Sequence, residues 1–169
     1  QNLIYHSLKK NLNIFSPSLI EGVTGSGKTE IYIKLAQKII NMKGQILIVV
    51  PEINLTPQTL QRFKTYLSGE IYEYHSSLSE KIKIDTWQKC KSGEINIIIG
   101  TRSSVFLPFQ NLRMIIVDEE HDVSLKQSEK FKYHARDLAV LRAKHSNIPI
   151  ILGSATPSFE SLYNCKKNK

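Results

Sequence analysis

Hydrophobic residues follow two different patterns along this chain. In one pattern they form short unbroken runs bounded by Gly, Pro or polar residues, as in QILIVV at 45–50. In the other they recur every three or four residues, as in the segment 28–41. Unbroken β-branched runs are typical of strands buried on both faces, and the longer period is typical of amphipathic helices. The predicted strands are 18–22, 45–50, 70–74, 95–99, 112–117 and 149–152, and the predicted helices are 28–41, 56–67, 79–91 and 135–144.

The predicted strands alternate with the predicted helices. Apolar strands separated by helices form a parallel sheet with helices on both faces, so we expect an α/β fold with three layers, α/β/α, around a mainly parallel sheet. A chain of 169 residues is long enough for one such domain. In this class of fold, ligands bind beyond the carboxyl ends of the strands. Polar segments follow four of these ends, after Ile20, Ile99, Val117 and Leu152.

The composition excludes several classes of protein. Hydrophobic residues make up 41% and charged residues 22% of the chain, which excludes wholesale disorder. No apolar run approaches the roughly 18 residues of a membrane-spanning helix, so we expect no membrane partner. The two cysteines, Cys90 and Cys165, cannot form a disulfide scaffold and lack the spacing of a metal cluster. This usage fits a reducing cytosol, and we therefore expect a cytoplasmic protein.

The net charge of +8 indicates an anionic partner, of which nucleic acid is the obvious kind. However, 18 of the 23 basic residues are lysines, and the chain is also rich in isoleucine and asparagine. An AT-rich genome would favour the same composition without any selection for binding. The charge by itself therefore leaves a nucleic-acid-binding surface and an ordinary solvated surface equally open.

The segment 22–29, GVTGSGKT, matches the phosphate-binding pattern G-x-x-x-x-G-K-[ST] completely. It follows a predicted strand and opens a predicted helix, which is the context that this motif requires. Its glycines let backbone N–H groups converge on phosphate oxygens, Lys28 reaches the β- and γ-phosphates, and the Thr29 hydroxyl binds Mg²⁺. The positive end of the helix dipole adds to the attraction. The residues predicted here to bind ATP are Gly22, Thr24, Gly25, Ser26, Gly27, Lys28 and Thr29.

A pair of carboxylates follows the apolar run 112–117. Beside a P-loop, Asp118 at such a strand end can hold Mg²⁺ together with Thr29, and Glu119 can polarise the attacking water. Acidic residues also end many strands without any catalytic role, so the pair alone is ambiguous. The complete P-loop favours catalysis, and a second carboxylate for water argues against a mononucleotide kinase. We predict Lys28, Asp118 and Glu119 as the catalytic residues, with ATP and Mg²⁺ as cofactors.

The four residues 118–121, DEEH, after a P-loop resemble the DExH box of superfamily 2 helicases. Further segments are similar to the PriA family of bacterial replication-restart helicases, also called primosomal protein N′. The resemblance runs nearly from end to end, with the family's spacing between segments. The segments that carry it are 20–32 (IEGVTGSGKTEIY), 50–58 (VPEINLTPQ), 75–77 (HSS), 100–109 (GTRSSVFLPF), 116–122 (IVDEEHD), 133–142 (YHARDLAVLR) and 152–162 (LGSATPSFESL).

The resemblance implies a RecA-like P-loop domain, the first lobe of a DNA-dependent ATPase and 3′-to-5′ DNA helicase that restarts stalled replication forks through primosome assembly. Its partners would be single-stranded and forked DNA and other primosome proteins, in the bacterial cytoplasm at the nucleoid. Gln1 would recognise the adenine ring, and His121, Ser154 and Thr156 would link hydrolysis to DNA handling. The residues implied for DNA contact are Pro51, Thr56, Gln58, Thr101, Arg102, Ser103, Lys126, Phe131 and Tyr133.

The residues themselves support these DNA contacts unequally. Thr101, Arg102 and Ser103 follow a strand end and offer a charge and hydroxyls to a phosphate. Phe131 and Tyr133, interleaved with lysines, have the composition of a base-stacking platform. Aromatic residues spaced by two are, however, more often half-buried strand residues, so a structural role remains an alternative.

Two further positions carry expectations of their own. The family usually has an aromatic residue where this chain has Leu125, which we expect to cost the stacking platform one ring. His121 could bond across to the segment that holds Ser154 and Thr156. These two hydroxyl residues could also simply cap a helix that begins at Pro157.

We expect residues 1–165 to form a single ATP-binding lobe, with 166–169 as a frayed tail. The second lobe with its arginine finger, and the family's DNA-binding and zinc-binding regions, are not represented in the sequence, so zinc is expected only there. An arginine finger contributes about 10³–10⁵ in rate in other nucleotidases. We therefore expect a monomer that binds Mg·ATP weakly, hydrolyses it slowly and unwinds nothing. The alternatives are another superfamily 2 translocase, a nucleotide-gated single-strand-binding module without motor activity, and a P-loop transport or assembly ATPase.

Overall fold

The centre of the molecule is a parallel sheet. The computed structural model describes residues 2–23, 25–129 and 131–167, and in that part of the chain six strands form the sheet. They are β1 (Pro17–Glu21), β2 (Gln45–Val49), β3 (Ile71–Tyr74), β4 (Ile97–Gly100), β5 (Leu112–Val117) and β8 (Ile150–Ser154). Their spatial order is β1-β8-β5-β2-β4-β3, and every neighbouring pair is parallel. All six carboxyl ends therefore lie at one edge of the sheet.

Helices and short 3₁₀ segments surround this sheet. The helices are α1 (Asn2–Lys10), α2 (Lys28–Asn41), α3 (Pro57–Tyr66), α4 (Glu80–Ser92), α5 (Ala135–His145) and α6 (Phe159–Lys166). The 3₁₀ segments are Glu52–Asn54, Arg102–Phe106 and Val123–Leu125. A separate antiparallel hairpin joins β6 (Lys126–Gln127) to β7 (Tyr133–His134). None of the helices in the described ranges is long and apolar enough to cross a membrane.

Side chains of each central strand alternate between two hydrophobic clusters. In β2, Ile46 and Ile48 pack in the cluster that contains the buried face of α2, whereas Leu47 and Val49 pack in the cluster that contains α5. Full burial of one such side chain contributes about 1.5–3 kcal/mol to folding. The sheet is therefore fixed from both faces, and its carboxyl edge is a rigid support for the loops that follow.

The predicted α/β fold, with a parallel sheet between two helical layers, is confirmed. The bounds of α2 and β5 are those predicted, and the ends of the other predicted elements shift by one or two residues. The predictions did not include α1, whose Tyr5 and Leu8 are partly buried against the core, or the two-residue strands of the hairpin. α6 ends at Lys166, the first residue of the segment expected to fray.

Candidate functional site

The phosphate-binding loop turns tightly between β1 and α2. Gly25 and Gly27 have φ of 82° and 91°, in the left-handed region that a residue with a Cβ rarely adopts. The N–H of Gly22 donates to the carbonyl oxygen of Ser154 at 3.0 Å, which ties the loop to β8. Because α2 begins directly at Lys28, its unpaired N–H groups and positive dipole end point toward the loop. This geometry suits an anion such as a phosphate group.

Lys28 lies beneath the loop, with 8% of its side chain exposed. Its Nζ donates to the carbonyl oxygen of Gly22 and lies 3.6 Å from Oε1 of Glu119. The cation is thus held between the phosphate-binding loop and the carboxylate pair. The structure brings together two segments that are far apart in the sequence and that were both predicted to serve one reaction.

Asp118 and Glu119 follow directly from the end of β5. The N–H of Asp118 donates to the carbonyl oxygen of Val49 at 2.9 Å, so this residue still pairs with β2. Glu119 has φ of 47°, a left-handed conformation that costs about 1–3 kcal/mol for a residue other than glycine. Strain of this kind persists only where the surrounding structure imposes it. Here it accompanies the approach of the Glu119 carboxylate to Lys28.

Asp118 and Thr29 line the same cavity, which has a volume of about 240 Å³. Burial raises the pKa of Asp118, and the charge of Glu119 raises it further, so this carboxylate would gain from a nearby cation. Mg²⁺ accepts carboxylate and hydroxyl oxygens, and substrate phosphates and water complete its shell. Within the described ranges, no group of three or more His, Cys, Asp or Glu side chains could hold a metal alone. Thr29 and Asp118 therefore fit an Mg²⁺ ion that arrives with a nucleotide.

Tyr32, which was not among the predicted site residues, adds to this corner of the site. Its side chain is 1% exposed, and its hydroxyl donates to Oδ1 of Asp118 at 3.0 Å. Burial, and then the charge of Asp118, raises the pKa of Tyr32 well above the ordinary value. The phenol therefore stays protonated and remains a donor to the carboxylate.

Glu120 is the centre of a buried hydrogen-bond network that the sequence reasoning missed. Its fully buried carboxylate accepts bonds from the N–H and hydroxyl of Ser158, from Oγ of Ser161 and from Nη1 of Arg136, at 2.7–3.0 Å. Burial acts to raise the pKa of Glu120, but the bonds from Ser158, Arg136 and Ser161 outweigh it, and the pKa lies below its usual value. The network joins the catalytic segment to α5 and α6. The only signal in the sequence is the third acidic position of the DEEH box.

The three predicted coupling residues lie together. Nδ1 of His121 is 2.7 Å from Oγ of Ser154 and 3.7 Å from Oε2 of Glu119. The N–H of Thr156 donates to the same Ser154 hydroxyl at 3.0 Å. A chain of contacts therefore runs from the end of β8 to the carboxylate pair. The alternative that Ser154 and Thr156 cap the following helix is wrong, because α6 begins at Phe159 and its cap is Ser158.

Three aromatic rings, Phe106, Phe131 and Tyr133, form a cluster beside the hairpin that we call the aromatic patch. Ring centroids are 5.0 Å apart between Phe106 and Tyr133, and 5.8 Å apart between Phe131 and Tyr133. Phe106 and Phe131 are 53% and 69% exposed, and Lys126 and Lys132 are exposed nearby in the chain. Phe106 was not among the predicted residues because it belongs to a different segment, beyond β4.

Leu125 does not belong to the aromatic patch. Its side chain is fully buried in the cluster beneath it, together with residues of β5 and α5. The expectation that leucine at this position removes a ring from the stacking platform is therefore wrong, because the position faces the core. Phe106 supplies the third ring instead.

The segment after β4 holds the hairpin in place. Nη1 of Arg102 donates to the carbonyl oxygens of Ser124 and Lys126 at 3.3 and 3.4 Å. Ser103 is half-buried. Thr101 is 2% exposed, and its N–H donates to the carbonyl oxygen of Tyr74. The prediction that the Thr101 hydroxyl meets a phosphate does not fit this burial.

The remaining predicted residues lie further along the same edge or outside the described part of the chain. Pro51 is buried, and Gln58 is exposed in the first turn of α3. Thr56 caps α3 and lines the same cavity as Thr29 and Asp118, so the segment after β2 adjoins the metal corner. The predicted residues Gln1 and Thr24 lie outside the described residues.

Comparison with known sequences identifies relatives for nearly the whole chain. The model of the DEAD/DEAH box helicase family matches residues 1–165. The replication restart protein PriA of Haemophilus influenzae is 48% identical over 167 residues, which are 99% of this chain and 22% of that protein. PriA of Bacillus subtilis is 46% identical over 149 residues, which are 88% of this chain and 18% of that protein. The chain thus spans about a fifth of the length of these relatives.

Comparison with solved structures supports the same fold. A structure of RecG bound to a three-way DNA junction superposes with a TM-score of 0.70 at 19% identity, over 96% of this chain and 21% of that one. At this identity the likeness concerns the fold alone. The predicted resemblance to PriA is confirmed by the sequence relatives. The chain belongs to the DEAD/DEAH box helicase family, in which it corresponds to the first RecA-like lobe of the PriA proteins.

Proposed function

We propose that this chain is the ATP-binding lobe of a DNA-dependent ATPase and 3′-to-5′ DNA helicase that restarts stalled replication forks. The observation that carries the proposal is the meeting of the P-loop and the DEEH box, with Nζ of Lys28 3.6 Å from Oε1 of Glu119. The relatives from Haemophilus influenzae and Bacillus subtilis are both replication restart proteins. A transport or assembly ATPase would share the P-loop but not this similarity.

Each residue of the site has a specific task in this proposal. Backbone N–H groups of the loop and of the α2 N-terminus bind the phosphates, and Lys28 neutralises the charge that develops on them. Thr29 and Asp118 would hold Mg²⁺, which when bound would supply charge stabilisation to the transferred phosphoryl group. Glu119 orients the attacking water and accepts its proton. ATP hydrolysis by in-line attack of water is the reaction that this set of groups supports.

The proposed DNA contacts lie at the same edge of the sheet. Exposed rings of the aromatic patch can stack on bases, and Lys126 and Lys132 can attract the phosphate backbone. The fold neighbour RecG is bound to a three-way DNA junction, which supports forked as well as single-stranded DNA as the ligand. Other primosome proteins would be engaged through the remaining parts of the protein. The site of action would be the nucleoid in the bacterial cytoplasm.

For the 169 residues alone we propose a monomer with weak Mg·ATP binding, slow hydrolysis and no unwinding. The family resemblance implies a second lobe with an arginine finger, and that lobe is not among these residues. Without the finger, turnover loses about 10³–10⁵ in rate. A nucleotide-gated module that grips single strands is therefore the second candidate for the chain in isolation, and the exposed aromatic patch favours it.

The test is a titration of a fluorescent ATP analogue with Mg²⁺ onto this chain, with and without a single-stranded oligonucleotide. We expect the chain to bind the nucleotide. If the oligonucleotide changes the nucleotide affinity, the nucleotide site and the DNA site are coupled within one lobe, since linkage is reciprocal. Binding without any response to DNA would leave the nucleotide site intact and assign the coupling to the second lobe. Absence of nucleotide binding would overturn the proposal.

A further inference from the structure

Tyr32 lies where three segments of the proposed nucleotide site meet: its own helix α2, the end of β5 at Asp118 and β8 at Gly153. It lies one turn after Lys28 on α2, so the helix that carries the phosphate lysine also carries this ring. Its hydroxyl donates to Oδ1 of Asp118 at 3.0 Å. The ring itself is buried among the residues of the hydrophobic cluster beneath α2. A buried ring has little freedom to move, so the hydroxyl is a fixed point against which the carboxylate is held.

Gly153 provides the space for this hydroxyl. A Cβ on Gly153 would lie 1.7 Å from the Tyr32 oxygen and 3.1 Å from Oδ1 of Asp118. The first distance is too short for non-bonded atoms and the second is a tight contact, so a side chain at position 153 would displace the hydroxyl from the carboxylate. The carbonyl of Gly153 is occupied as well, because it accepts from the N–H of Glu120 at 3.0 Å. The glycine of β8 and the tyrosine of α2 therefore fit each other at the carboxylate.

The hydrogen bond from Tyr32 to Oδ1 fixes the orientation of the Asp118 carboxylate. The carboxylate would then meet a metal ion, or a water in its shell, in a defined direction. Groups that hold a metal ligand in orientation are typically worth 10–100-fold in metal affinity or activity. Since Tyr32 and Thr29 lie on the same turn of α2, the hydroxyl also fixes the distance between the two predicted magnesium ligands.

We propose that Tyr32 is a positioning residue for magnesium: its hydroxyl orients the Asp118 carboxylate, and Gly153 leaves the gap that admits it. The inference rests on the proposed function, because it presumes that Thr29 and Asp118 hold Mg²⁺ with a nucleotide. It adds a residue from the apolar face of α2 to a site otherwise built from loops. It also gives β8 a direct part in shaping the metal corner.

The test compares nucleotide affinity with and without the metal. A fluorescent ATP analogue is titrated onto the parent chain and Tyr32→Phe, once with saturating Mg²⁺ and once with EDTA. The readout, which we call the magnesium ratio, is the dissociation constant in EDTA divided by the dissociation constant in Mg²⁺. We expect equal affinity in EDTA and a ratio about tenfold smaller for Tyr32→Phe, at the lower end of the usual effect of such groups. Tyr72→Phe is the matched control. Tyr72 lies on the edge strand β3, and its hydroxyl accepts a hydrogen bond from Lys89 of α4.

A second variant tests the same hydrogen bond without changing Tyr32 itself. Gly153→Ala should reduce the magnesium ratio in the same way, because the added methyl group displaces the hydroxyl. In the double variant with Tyr32→Phe the methyl group no longer meets the hydroxyl oxygen, and its remaining contacts are with Cζ of the ring at 3.0 Å and Oδ1 of Asp118 at 3.1 Å. The double variant should therefore show much less than the sum of the two single losses. Additive losses would show that the two residues act separately, and would overturn the inference.

The outcomes distinguish this inference from the proposed function. A parent chain that binds no nucleotide, or binds it equally well without Mg²⁺, would overturn the proposed function and this inference with it. A parent chain that depends on Mg²⁺, with an unchanged ratio in Tyr32→Phe, would overturn the inference alone. Equal weakening in EDTA and in Mg²⁺ would also overturn it, because the hydroxyl would then support the loop rather than the metal carboxylate.

Discussion

Glu119 illustrates how the backbone of one residue can decide which side chains meet. In a strand, neighbouring side chains point to opposite faces of the sheet, so two consecutive carboxylates at a continued β5 could not serve one site. The left-handed conformation of Glu119 ends this alternation directly after Asp118. The two carboxylates can therefore divide the work, with Asp118 beside Thr29 and Glu119 beside Lys28.

This division of roles predicts different effects for two substitutions. Lys28→Ala should reduce nucleotide binding below detection, because charge-assisted hydrogen bonds contribute about 1.5–3 kcal/mol each and the buried lysine has no substitute. Glu119→Gln should preserve binding and lower the residual hydrolysis by about 10²–10⁴, the usual contribution of a general base. Fluorescent-nucleotide titration and phosphate release measure the two effects. Equal loss of binding in both variants would contradict the role of Glu119.

The carboxylate of Glu120 is expected to stabilise the fold rather than act on the nucleotide. Removing one partner of a buried ion pair costs about 3–5 kcal/mol, because the other charge is left uncompensated. Glu120→Gln would leave Arg136 with Asp137, whose side chain is 59% exposed, as its remaining ion-pair partner. The new amide at position 120 would face the hydroxyl donors of Ser158 and Ser161. Because Asp137 retains part of the compensation, we expect a loss at or below the lower end of this range in the free energy of unfolding in urea. Glu80→Gln, at an exposed pair with Lys83, is the control and should change little.

The same carboxylate gives a pH dependence with a definite sign. Since the folded-state pKa of Glu120 lies below the unfolded one, its stabilisation is present above the ordinary glutamate pKa and is lost as the pH falls through the folded-state pKa. The difference in unfolding free energy between the parent and Glu120→Gln should therefore shrink as the pH falls below about 4. A difference that stays constant down to acid pH would contradict this account.

At the scale of elements, the length of a pattern decided what could be predicted. The helical period of α2 runs through 14 residues, and its bounds follow from the sequence. The strands of the hairpin have two residues each, too few to show any period, and the first of them contacts Arg102 from a different segment. α1 was not predicted, although Ile4 and Leu8 recur at the helical spacing and Leu8 packs against the cluster beneath α2.

The candidate site also contains residues that a local sequence pattern predicts and residues that it does not predict. The P-loop is a local motif, so its residues and their roles can be read from eight consecutive positions. The contact of Tyr32 with Asp118 joins residues 86 positions apart, and no local pattern singles out Tyr32 for the site. Leu125 shows the reverse error, because its neighbours in sequence suggest a surface loop and its side chain is fully buried. Long-range packing determined both outcomes.

The aromatic patch predicts a contribution from a residue outside the hairpin. Phe106→Ala and Phe131→Ala should each weaken binding of a labelled oligothymidylate, measured by fluorescence anisotropy, because stacking on an aromatic ring contributes about 1–3 kcal/mol per base. Tyr66→Ala is the control, since Tyr66 is 65% exposed at the end of α3, away from the patch. If Phe106→Ala behaves like this control while Phe131→Ala does not, Phe106 only supports the neighbouring rings.

At the scale of the whole molecule, the parallel sheet brings the functional segments to one edge. The P-loop follows β1, the segment of Thr101 and Arg102 follows β4, the DEEH box follows β5, and Ser154 ends β8. Because β1, β8 and β5 are neighbours, the nucleotide residues lie beside each other. The network of Glu120 and Arg136 then connects the proposed catalytic segment to α5, which begins two residues after Tyr133 of the aromatic patch. The residues proposed for nucleotide and for DNA are thus joined through one network.

In the proposed function, this lobe carries one side of an ATPase site and a second lobe completes it. The chain alone should therefore release phosphate more slowly than a two-lobed enzyme. The rate should be lower by a factor of about 10³–10⁵ if the arginine finger contributes its usual amount. Phosphate release at saturating Mg·ATP, with and without single-stranded DNA, measures this rate, and Glu119→Gln provides the background. A forked duplex with a labelled strand should remain unseparated under the same conditions. Robust DNA-stimulated turnover or strand separation by the 169 residues would show that the lobe is a complete motor by itself.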